Sequence, residues 1–486
     1  MNADKRGLKT KTISALTGVP PRVEILFFAL LFALLLAARM CHAGILWEGD
    51  TLPLAAAGQM LHGKVLYRDI WYDKPPLVPA FHLLSGGAAG WSLRFAGALY
   101  ALLCCLIGYG FARDLWSRRE GLWAAALLAI YLTFYIPSAV IPVASDLLLL
   151  APHAAAVWMA YKRRPFWSGA LAGVAFWISP KAVFVAAACV LWHPAGAPLM
   201  AAGFAAVSGV AAGWLWAGGA LGAYWREVWE WGRLYAGGTF VAEPWKNGLA
   251  RTLNWMGFHA AAAAAAAWFL VGIVRAGDRR AVWRWGGWLA LALIGVAAGL
   301  RFFPRYYFLA LPVVALMAAR GFATLGRARL AVGLLLMVPV VRFGPSYVAA
   351  ANPRWRDTAM DRDSRAAAAI IRQTARPGDT LFVWGYRPEL FAYTGLLAGS
   401  MYLDSQPLTG VPADRHLTQS TPVETTEARR RRAELVALRP PDIVADGLSA
   451  YNPALAMTRY PELAAWMEHY ALAGRTGETA IYRRIR

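Results

Sequence analysis

The chain has 486 residues, of which 58% are hydrophobic and only 16% are charged, and its formal net charge at pH 7 is +21. Because soluble domains average about 25% charged residues, this composition excludes an ordinary soluble protein and indicates an integral membrane protein. The basic residues form short clusters between apolar runs, which is typical of cytoplasmic loops and argues against nucleic-acid binding. The clusters are Lys5-Arg6 with Lys9 and Lys11, Arg113 with Arg118-Arg119, Lys162-Arg163-Arg164, Arg275 with Arg279-Arg280, and Arg320 with Arg327 and Arg329.

Eleven apolar runs within a membrane domain of residues 22–345 are candidate spans, each of which needs about 20 apolar residues. Two of them are short, and Ser179-Pro180 between them predicts either a turn at the membrane surface or a kink. With the basic N-terminus, residues 1–21, in the cytoplasm, alternation through eleven spans puts every basic loop on the inside. The runs are 22–46, 91–112, 119–137, 141–161, 165–179, 181–194, 197–220, 252–274, 285–301, 305–320 and 328–345.

The same alternation places the remaining loops, together with residues 346–486, on the external or periplasmic side of an inner membrane. Most polar residues of the membrane domain that are not cytoplasmic cations lie in these loops. We therefore expect the chemistry of the protein to take place on the external face. The loops are 47–90, 137–146, 179–181, 221–251 and 301–306.

The longest polar stretch of the membrane domain is residues 47–77, directly after the first span. Residues 52–61 suit a helix lying along the membrane surface, and Gly63 would end it. Pro75-Pro76 forces Lys74 into an extended conformation. We expect an ordered loop packed on the spans, with three aromatic residues at interfacial depth: Trp47, Trp71 and Tyr72. The stretch contains four carboxylates and three cations: Glu48, Asp50, Asp69, Asp73, Lys64, Arg68 and Lys74.

Residues 346–486 read as soluble protein in which helical and strand patterns alternate, and they predict a small α/β domain. We find no glycine-rich phosphate loop and no nucleotide-binding fingerprint in this segment. The predicted helices are 365–374, 388–394, 427–438 and 461–470. The predicted strands are 380–384, 400–403, 442–445 and 479–483.

The first loop, with an acidic pair after the first span, a surface helix and the motif G-x-x-x-Y-R-D-x-W-x-x-K-P-P-L, resembles that of one enzyme family. It is similar to the GT-C glycosyltransferases that use polyprenyl-phosphate sugars, among them the protein O-mannosyltransferases (glycosyltransferase family 39) and the lipid A aminoarabinose transferases. The matching residues are Glu48, Gly63, Tyr67, Arg68, Asp69, Trp71, Lys74, Pro75, Pro76 and Leu77. The similarity continues at residues 144–146, 179–181, 301–308 with Pro312, 384–390 and 441–444.

The resemblance implies a helical polytopic GT-C-like membrane protein with about eleven spans and a small external α/β domain. It also implies transfer of a sugar, with inversion, from a polyprenyl-phosphate donor to a lipid, glycan or protein acceptor of the cell envelope. Such a reaction needs a carboxylate that takes or orients the acceptor's proton. It also needs cations that stabilise the departing phosphate, and an apolar groove for the prenyl chain.

Three carboxylates are candidates for the catalytic role: Glu48, Asp50 and Asp146. Glu48 matches the family position, whereas Asp50 could instead cap the surface helix. Asp146 stands in an apolar run, where an ionisable side chain is expensive to bury and is usually functional. Family members usually carry Asp-Glu where this chain has Trp47-Glu48. Either Glu48 or Asp50 has taken the role of that aspartate, or the activity is different or weakened.

Several external cations next to spans suit the donor phosphate, although snorkelling at the interface is their common alternative use. The resemblance implies this role for Lys74, Lys181, Arg301 and Arg305, with Tyr306 beside them. Arg68-Asp69 is expected to be a structural ion pair in a loop shaped by Pro75 and Pro76. No histidine pair or cysteine motif has metal-ligand spacing, so we assign no metal, and a divalent ion held by carboxylates stays open.

Two other functions stay open from the sequence. A transporter or flippase for a polyprenyl-linked lipid would tend to show inverted repeats and polar residues at the bilayer midplane, and we find no repeat. A catalytically silent scaffold of the same fold is kept open by Trp47. The aromatic segment 224–235 could stack on sugar rings or anchor the chain at the interface.

Overall fold

The structure is a computed structural model that describes residues 21–237, 241–348, 355–411 and 425–485. Nearly all of the basic N-terminus, whose cytoplasmic position was predicted above, lies outside the described residues. The described chain is mostly helical, and one small β-sheet lies near its C-terminal end.

The first part of the chain is built from helices, most of them apolar, because this segment is dominated by aliphatic and aromatic residues. Its α-helices are α1 Pro21–Met40, α2 Glu48–Leu61, α3 Leu77–Leu83, α4 Trp91–Leu115, α5 Arg118–Tyr131, α6 Pro137–Val140, α7 Ser145–Leu148, α8 Leu150–Tyr161, α9 Pro165–Phe176, α10 Ala182–Trp192, α11 Ala197–Ala217, α12 Leu221–Tyr224, α13 Trp231–Gly237, α14 Pro244–Phe258, α15 Ala260–Arg275, α16 Arg279–Ala297, α17 Leu311–Thr324, α18 Arg329–Leu334, α19 Met337–Phe343 and α20 Pro345–Val348. Between them lie the 3-10 helices Pro194–Gly196, Pro304–Leu309 and Gly326–Ala328, and the π-helix Trp225–Glu230.

Length and composition identify membrane spans among these helices. Four helices in the described ranges are long and apolar enough to cross a membrane: Arg22–Met40, Trp91–Leu115, Pro194–Ala217 and Gly326–Val348. A fifth is formed if α14 and α15, which bend by 93° at their break, count as one span. The predicted run 141–161 is divided into shorter helices, whereas the predicted run 328–345 lies within Gly326–Val348. The protein is therefore a helical membrane protein, and the total of eleven spans stays a prediction.

The short helices α9 and α10 are the counterparts of the two least regular predicted spans. Helix α9 is held close to α11 because glycines face each other where the two helices cross. A Cβ atom on Gly169 would lie 1.8 Å from the Met200 carbonyl oxygen, and one on Gly203 would lie 2.0 Å from that of Phe166. Small residues at such crossings let helix backbones approach closely in a membrane.

The segment between α9 and α10 decides whether Ser179-Pro180 forms a turn or a kink, the two alternatives predicted from the sequence. Helix α9 ends at Phe176 and α10 begins at Ala182, so the residues between them form a turn rather than a kink inside one helix.

The C-terminal unit, residues 356–485, contains a five-stranded sheet of order β2-β1-β3-β5-β4. Strand β1 pairs in parallel with β2 and β3, whereas β5 pairs antiparallel with β3 and β4. The strands are β1 Thr380–Trp384, β2 Leu397–Ala398, β3 Ile443–Asp446, β4 Tyr470–Arg475 and β5 Ala480–Arg484. The helices are α21 Arg356–Thr374, α22 Glu389–Thr394, α23 Gln406–Thr409, α24 Thr426–Ala437 and α25 Pro461–Met467, with 3-10 helices Pro453–Leu455 and Met457–Arg459.

The predicted α/β pattern of this unit agrees with the structure in outline. Helix α21 begins at Arg356, nine residues before the predicted helix 365–374, and α23 was not predicted. The strand predicted at 400–403 is wrong, because the edge strand lies just before it, at β2, and residues 400–403 form bends. The helix predicted at 461–470 ends at Met467, and Tyr470 begins β4, a strand that the sequence reading missed.

The C-terminal unit covers much of the first loop. The Gln59 side-chain amide donates to the Leu396 carbonyl oxygen and accepts from the Ala398 N–H, at 3.2 and 2.9 Å. The Trp71 N–H donates to the Met401 carbonyl oxygen. Helix α2 is therefore mostly buried inside the protein, and its predicted direction along the membrane surface stays a prediction.

The three aromatic residues predicted at interfacial depth are also buried in protein. Trp47 and Trp71 are each 2% exposed and Tyr72 is fully buried. Trp71 packs edge-on against Trp231, and Trp47 packs against His42 and Trp355. The C-terminal unit and neighbouring loops thus occupy the place that lipid headgroups were expected to fill.

Candidate active site

A cavity of about 290 Å³ lies where the predicted external loops meet under the C-terminal unit. Its volume is at the lower end of small-molecule pockets, which span roughly 300–1,000 Å³. Six separate segments of the chain line it, and each predicted external loop contributes at least one residue. The polar and aromatic lining residues are Glu48, Tyr72, Asp73, Lys74, Ser145, Asp146, Ser179, Lys181, Trp231, Tyr235, Arg301, Arg305, Tyr306, Tyr386 and Gln406.

Glu48 reaches the cavity because it is the first residue of α2 and because α2 begins very close to residues 142–146. A Cβ atom on Gly49 would lie 2.9 Å from the Pro142 Cβ and 3.0 Å from the Ala144 Cβ. Only glycine fits this contact without displacement, so Gly49 brings the first turn of α2 next to Asp146. A carboxylate is also favoured at the start of a helix by the helix dipole.

Arg305 stands between two carboxylates in the cavity. Its guanidinium lies 3.9 Å from the Glu48 carboxylate and 3.6 Å from the Asp146 carboxylate. Both distances exceed those of a good hydrogen bond, so these ion pairs are loose. Lys181 approaches Asp146 from the other side at 3.4 Å, and its ammonium group lies 2.9 Å from the centre of the Tyr306 ring. These five residues form one cluster, which we call the Arg305 cluster.

The corner that carries Arg305 has an unusual backbone. Gly299, Leu300 and Phe302 have φ values of +81°, +54° and +50°, in the left-handed region that residues with side chains seldom adopt. Gly299 adopts this conformation freely, but at Leu300 and Phe302 it costs about 1–3 kcal/mol each, and such conformations collect at functional sites. Pro304 then begins the 3-10 helix that contains Arg305 and Tyr306.

Lys74 lines the cavity next to Asp73, to which its ammonium group donates a hydrogen bond of 2.7 Å. The buried Tyr67 hydroxyl donates to the Lys74 carbonyl oxygen, also at 2.7 Å, and fixes the extended backbone before Pro75-Pro76. Burial lowers the pKa of Lys74, but the Asp73 carboxylate raises it more, so the pKa lies above its ordinary value and the side chain is a cation.

Arg301 lines the cavity, and its side chain is fixed by contacts with Tyr235. Its guanidinium donates to the Tyr235 carbonyl oxygen at 2.8 Å and lies 3.4 Å from the centre of the Tyr235 ring. Tyr235 belongs to the aromatic segment 224–235, for which stacking or interfacial anchoring was left open. In the structure Tyr235 faces the cavity, together with Trp231.

Asp50 lies outside the cavity and is fully buried. Its carboxylate accepts hydrogen bonds of 2.7 Å from the Arg94 guanidinium and 2.7 Å from the Val143 N–H, and it lies 3.4 Å from the His82 ring. Burial raises its pKa, but Arg94 and His82 lower it more, so Asp50 is ionised. We call this group the Asp50 cluster. Asp50 does not cap α2 either, because Trp47 occupies the cap position.

The other predicted residues of the first loop have structural positions. Arg68 and Asp69 form a two-bond ion pair at the surface, at 3.0 and 2.8 Å, and Asp69 also accepts from the Val65 N–H. Pro75 lines the cavity, and Pro76 precedes α3. Trp47, which replaces the usual family aspartate, packs outside the cavity against His42.

The cavity residues that were not predicted as site residues include Asp73, Tyr235, Tyr386 and Gln406. Asp73 was counted among the carboxylates of the first loop, and Tyr386 lies in the 384–390 motif. Nothing in the sequence predicted that either side chain lines the cavity. Behind Gln406 lies Asp404, whose carboxylate accepts from the Gln406 N–H at 2.9 Å. Burial raises the pKa of Asp404 to about 7.

The described residues contain no group of three or more His, Cys, Asp and Glu side chains that could hold a metal ion. Within the cavity, Glu48 and Asp146 face Arg305 and Lys181 rather than each other. A divalent ion held by carboxylates stays an open alternative.

Comparison with known proteins identifies the fold. ArnT from Cupriavidus metallidurans in the apo state is similar with a TM-score of 0.61 and 14% identity, covering 95% of this chain and 97% of that chain. The same protein bound to undecaprenyl phosphate gives 0.58 and 14%, covering 96% and 99%. The oligosaccharyltransferase AglB from Archaeoglobus fulgidus, in complex with an inhibitory peptide and a dolichol-phosphate, gives 0.51 and 13%, covering 95% and 74%.

No family model matches the chain, and no curated protein matches it in sequence. At 13–14% identity the structural similarity speaks for the fold alone. Both neighbours have the GT-C fold, which the motif of the first loop predicted. The chain is therefore a membrane protein with the GT-C fold.

Proposed function

We propose that the chain is an integral membrane glycosyltransferase that moves a sugar from a polyprenyl-phosphate donor to an acceptor in the cell envelope. The acceptor is a lipid, a glycan or a protein, and the transfer proceeds with inversion at the sugar carbon. The membrane domain has eleven spans, the N-terminus is cytoplasmic, and the cavity and the C-terminal unit are on the external face of an inner membrane. The donor already carries its leaving group, so no nucleotide takes part.

The observation that carries this proposal is the Arg305 cluster. Two carboxylates and two cations are linked by three ion pairs in an open cavity, and all three distances are long, at 3.4–3.9 Å. Among the described residues Arg305 has no hydrogen-bond partner at shorter range. Its donors are available to an anionic ligand, and phosphate oxygens are the acceptors that a guanidinium matches best.

The residues take distinct roles in the proposed reaction. Glu48 accepts the proton of the acceptor hydroxyl or orients it, as a general base. Arg305 and Lys181 bind the donor phosphate and stabilise the charge that develops on it as the bond to the sugar breaks. Asp146 holds both cations in place, and Lys74 adds a positive charge at the first loop. Tyr306, under the Lys181 ammonium, fixes the direction of that side chain.

Arg301 receives a different role from the one expected at the sequence level. Because its guanidinium stacks on Tyr235 and donates to the backbone there, it shapes the cavity wall next to the phosphate site. Asp50 receives a structural role, since its carboxylate is enclosed by Arg94, His82 and the Val143 N–H.

The lining also has an apolar part that suits the first isoprene units of a lipid carrier. Leu52, Val78, Ile178, Val228 and Phe303 lie among the polar residues of the same cavity. The fold neighbours supply independent support, since ArnT is solved with undecaprenyl phosphate and AglB with a dolichol-phosphate. Trp47 does not remove the carboxylate from the cavity, because Glu48 is the residue that faces it.

The proposal is tested by a transfer assay in proteoliposomes with a panel of polyprenyl-phosphate sugars and envelope extract as acceptor. Wild type is expected to form product with one donor, and Glu48→Gln should reduce turnover by roughly 10²–10⁴-fold, the contribution of a general base. Glu434→Gln, which makes the same change at an exposed helix position, is the matched control and should retain activity.

Two other outcomes would replace the proposal. Movement of the intact donor across the bilayer without product would identify a transporter. Donor binding by folded wild-type protein, with neither product nor movement, would identify a catalytically silent relative.

A further inference from the structure

A second cavity, of about 540 Å³, lies at the opposite ends of three helices that also reach the active site. Helix α8 runs from the Asp146 region to Tyr161, and α10 runs from Lys181 to Trp192. Helix α16 begins at Arg279 and ends next to Ala298 and Gly299, which line the first cavity. The second cavity is therefore at the membrane face opposite the active site, which our proposed orientation makes the cytoplasmic face.

The second cavity is lined by basic groups from three segments of the chain. Arg163 follows α8, His193 follows α10, and Arg280 and Arg284 belong to the first turns of α16. None of its lining residues carries a carboxylate; they are Ala160, Tyr161, Arg163, Trp192, His193, Pro194, Ala195, Arg280 and Arg284. We call this group the basic cavity.

Two carboxylates near the segments that line the basic cavity already accept hydrogen bonds from the protein. The Asp278 carboxylate accepts from the Ala281 N–H at 2.9 Å, and the Asp114 carboxylate accepts from Lys162 at 2.7 Å. Arg284 donates to the Trp192 carbonyl oxygen at 3.0 Å. Within the described ranges, the side chains of Arg163 and Arg280 have neither an ion pair nor a hydrogen bond. The Asp278 carboxylate acts electrostatically on Arg284, as do the cations Arg163 and Arg280, so the protein neutralises the positive charge of the cavity only in part.

An independent observation concerns Trp192, which lines the same cavity. Its side chain is 4% exposed, and its indole N–H is buried with no hydrogen-bond partner among the described residues. A buried donor without an acceptor is costly and rare in native proteins. The Trp192 ring is part of the cavity wall, and the surrounding arginines select an anionic ligand.

We propose that the basic cavity binds the phosphate headgroup of an anionic phospholipid from the leaflet opposite the active site. The cavity adjoins the start of Pro194–Ala217, one of the helices long and apolar enough to span a membrane, so acyl chains can lie along that helix. Basic pockets between spans at the cytoplasmic surface are suited to such headgroups. The site is distinct from the donor site and binds lipid whether or not the chain is a transferase.

The test is native mass spectrometry of the full chain in detergent, titrated with phosphatidylglycerol and, separately, with phosphatidylcholine. Wild type is expected to bind phosphatidylglycerol in preference. The double variant Arg163→Ala/Arg280→Ala should bind it at least about tenfold more weakly, because two charge-assisted hydrogen bonds are lost.

The matched control is Arg164→Ala/Arg279→Ala, which removes the same charge from the neighbouring exposed positions outside the cavity. Its affinity for phosphatidylglycerol should equal that of wild type. Equal losses in the two double variants, or equal binding of the two lipids by wild type, would overturn the proposal. Inorganic phosphate that competes as well as phosphatidylglycerol at equal concentration would also overturn it, because the ligand would then be a soluble anion.

Discussion

The Asp50 cluster and the Arg305 cluster contain the same kinds of side chain, start two residues apart in sequence, and have opposite characters. Asp50 is enclosed, with two hydrogen bonds of 2.7 Å, and its partner Arg94 is 1% exposed. Glu48 faces an open cavity and meets Arg305 only at 3.9 Å. Helix α2 turns one carboxylate into the core and the other into the cavity.

The difference shows how charged groups in a membrane protein can be separated into structural and functional ones. A buried carboxylate whose acceptors are all used has no capacity left for a substrate, and its role is to hold elements together. A carboxylate and a guanidinium at 3.6–3.9 Å have unused donors and acceptors, with which a ligand can form hydrogen bonds. The geometry of the partners, rather than the residue type, distinguishes the two.

The largest expected effect is on stability, in the Asp50 cluster. Arg94→Ala leaves an unpaired carboxylate in the core, and breaking a buried pair in this way costs about 3–5 kcal/mol. Thermal unfolding in detergent should show a large fall in Tm. The exposed pair offers the control, since Arg68→Ala should leave Tm nearly unchanged. Equal effects of the two variants would contradict the contrast between buried and exposed pairs.

The next effect is on catalysis, in the Arg305 cluster. Arg305→Ala should lower kcat/KM for the polyprenyl-phosphate donor by roughly 10²-fold, the effect of removing one donor that stabilises developing charge. Tm should change little, because the pairs it loses are loose. Arg305→Lys keeps the charge and should recover part of the rate. If Arg305→Ala lowers Tm strongly while the folded variant retains its turnover, the two clusters are assigned the wrong way round.

A smaller effect is expected at Gly49, which lies between the two carboxylates. In Gly49→Ala the new Cβ meets Pro142 and Ala144 at about 3 Å and pushes the start of α2 away from Asp146. Since misplacement by 1 Å can cost 10²-fold, a shift of a few tenths of an ångström should lower kcat roughly threefold to tenfold. Gly58→Ala, on the same helix with open space at its Cβ, is the control.

The smallest effect concerns Asp404, a buried carboxylate that has no ion pair in the part of the chain that the structure describes. Burial raises its pKa from 3.8 to about 7, so it binds a proton more tightly in the folded than in the unfolded state. Its contribution to stability is fully present below the unfolded pKa and is lost as the pH rises through about 7.

Asp404→Asn cannot ionise and keeps an oxygen for the Gln406 N–H. Its Tm relative to wild type should therefore rise by a few degrees between about pH 5 and about pH 8. Comparing the two pH values removes any constant cost of the substitution. Glu434→Gln, at an exposed position, should show no such change. A constant difference for Asp404→Asn would mean that Asp404 is paired as Asp50 is.

The sequence predicted the secondary structure best where a pattern was local. Strand β1 has its predicted bounds because Thr380–Trp384 is a short run of β-branched, aliphatic and aromatic residues, of which the last four are buried. Strand β4 was missed because Tyr470–Arg475 is mostly exposed and contains Ala and Gly, which favour no strand on their own. It forms because β5 pairs with it, which is a tertiary contact.

For the site, the family motifs singled out Glu48, Lys74, Asp146, Lys181 and Arg305, and all five line one cavity in the structure. The roles of these residues remain predictions. The sequence could not separate Glu48 from Asp50, because the two differ only in helix register, which depends on the start of α2. Tyr386 and Gln406 could not be found from the sequence, because they reach the cavity through docking of the C-terminal unit, to which no local pattern points.

That docking has a consequence for the order in which the protein can be made. The Leu46 N–H binds the Asp361 carboxylate and Gln59 binds Leu396 and Ala398, partners 315–339 residues further along the chain. At synthesis rates of about 5–20 residues per second, the first loop emerges roughly 20–70 s before its partners exist. During that time helix α2, Trp47 and Trp71 are not yet covered by the C-terminal unit. Chaperones or proteases would bind the nascent protein in this interval.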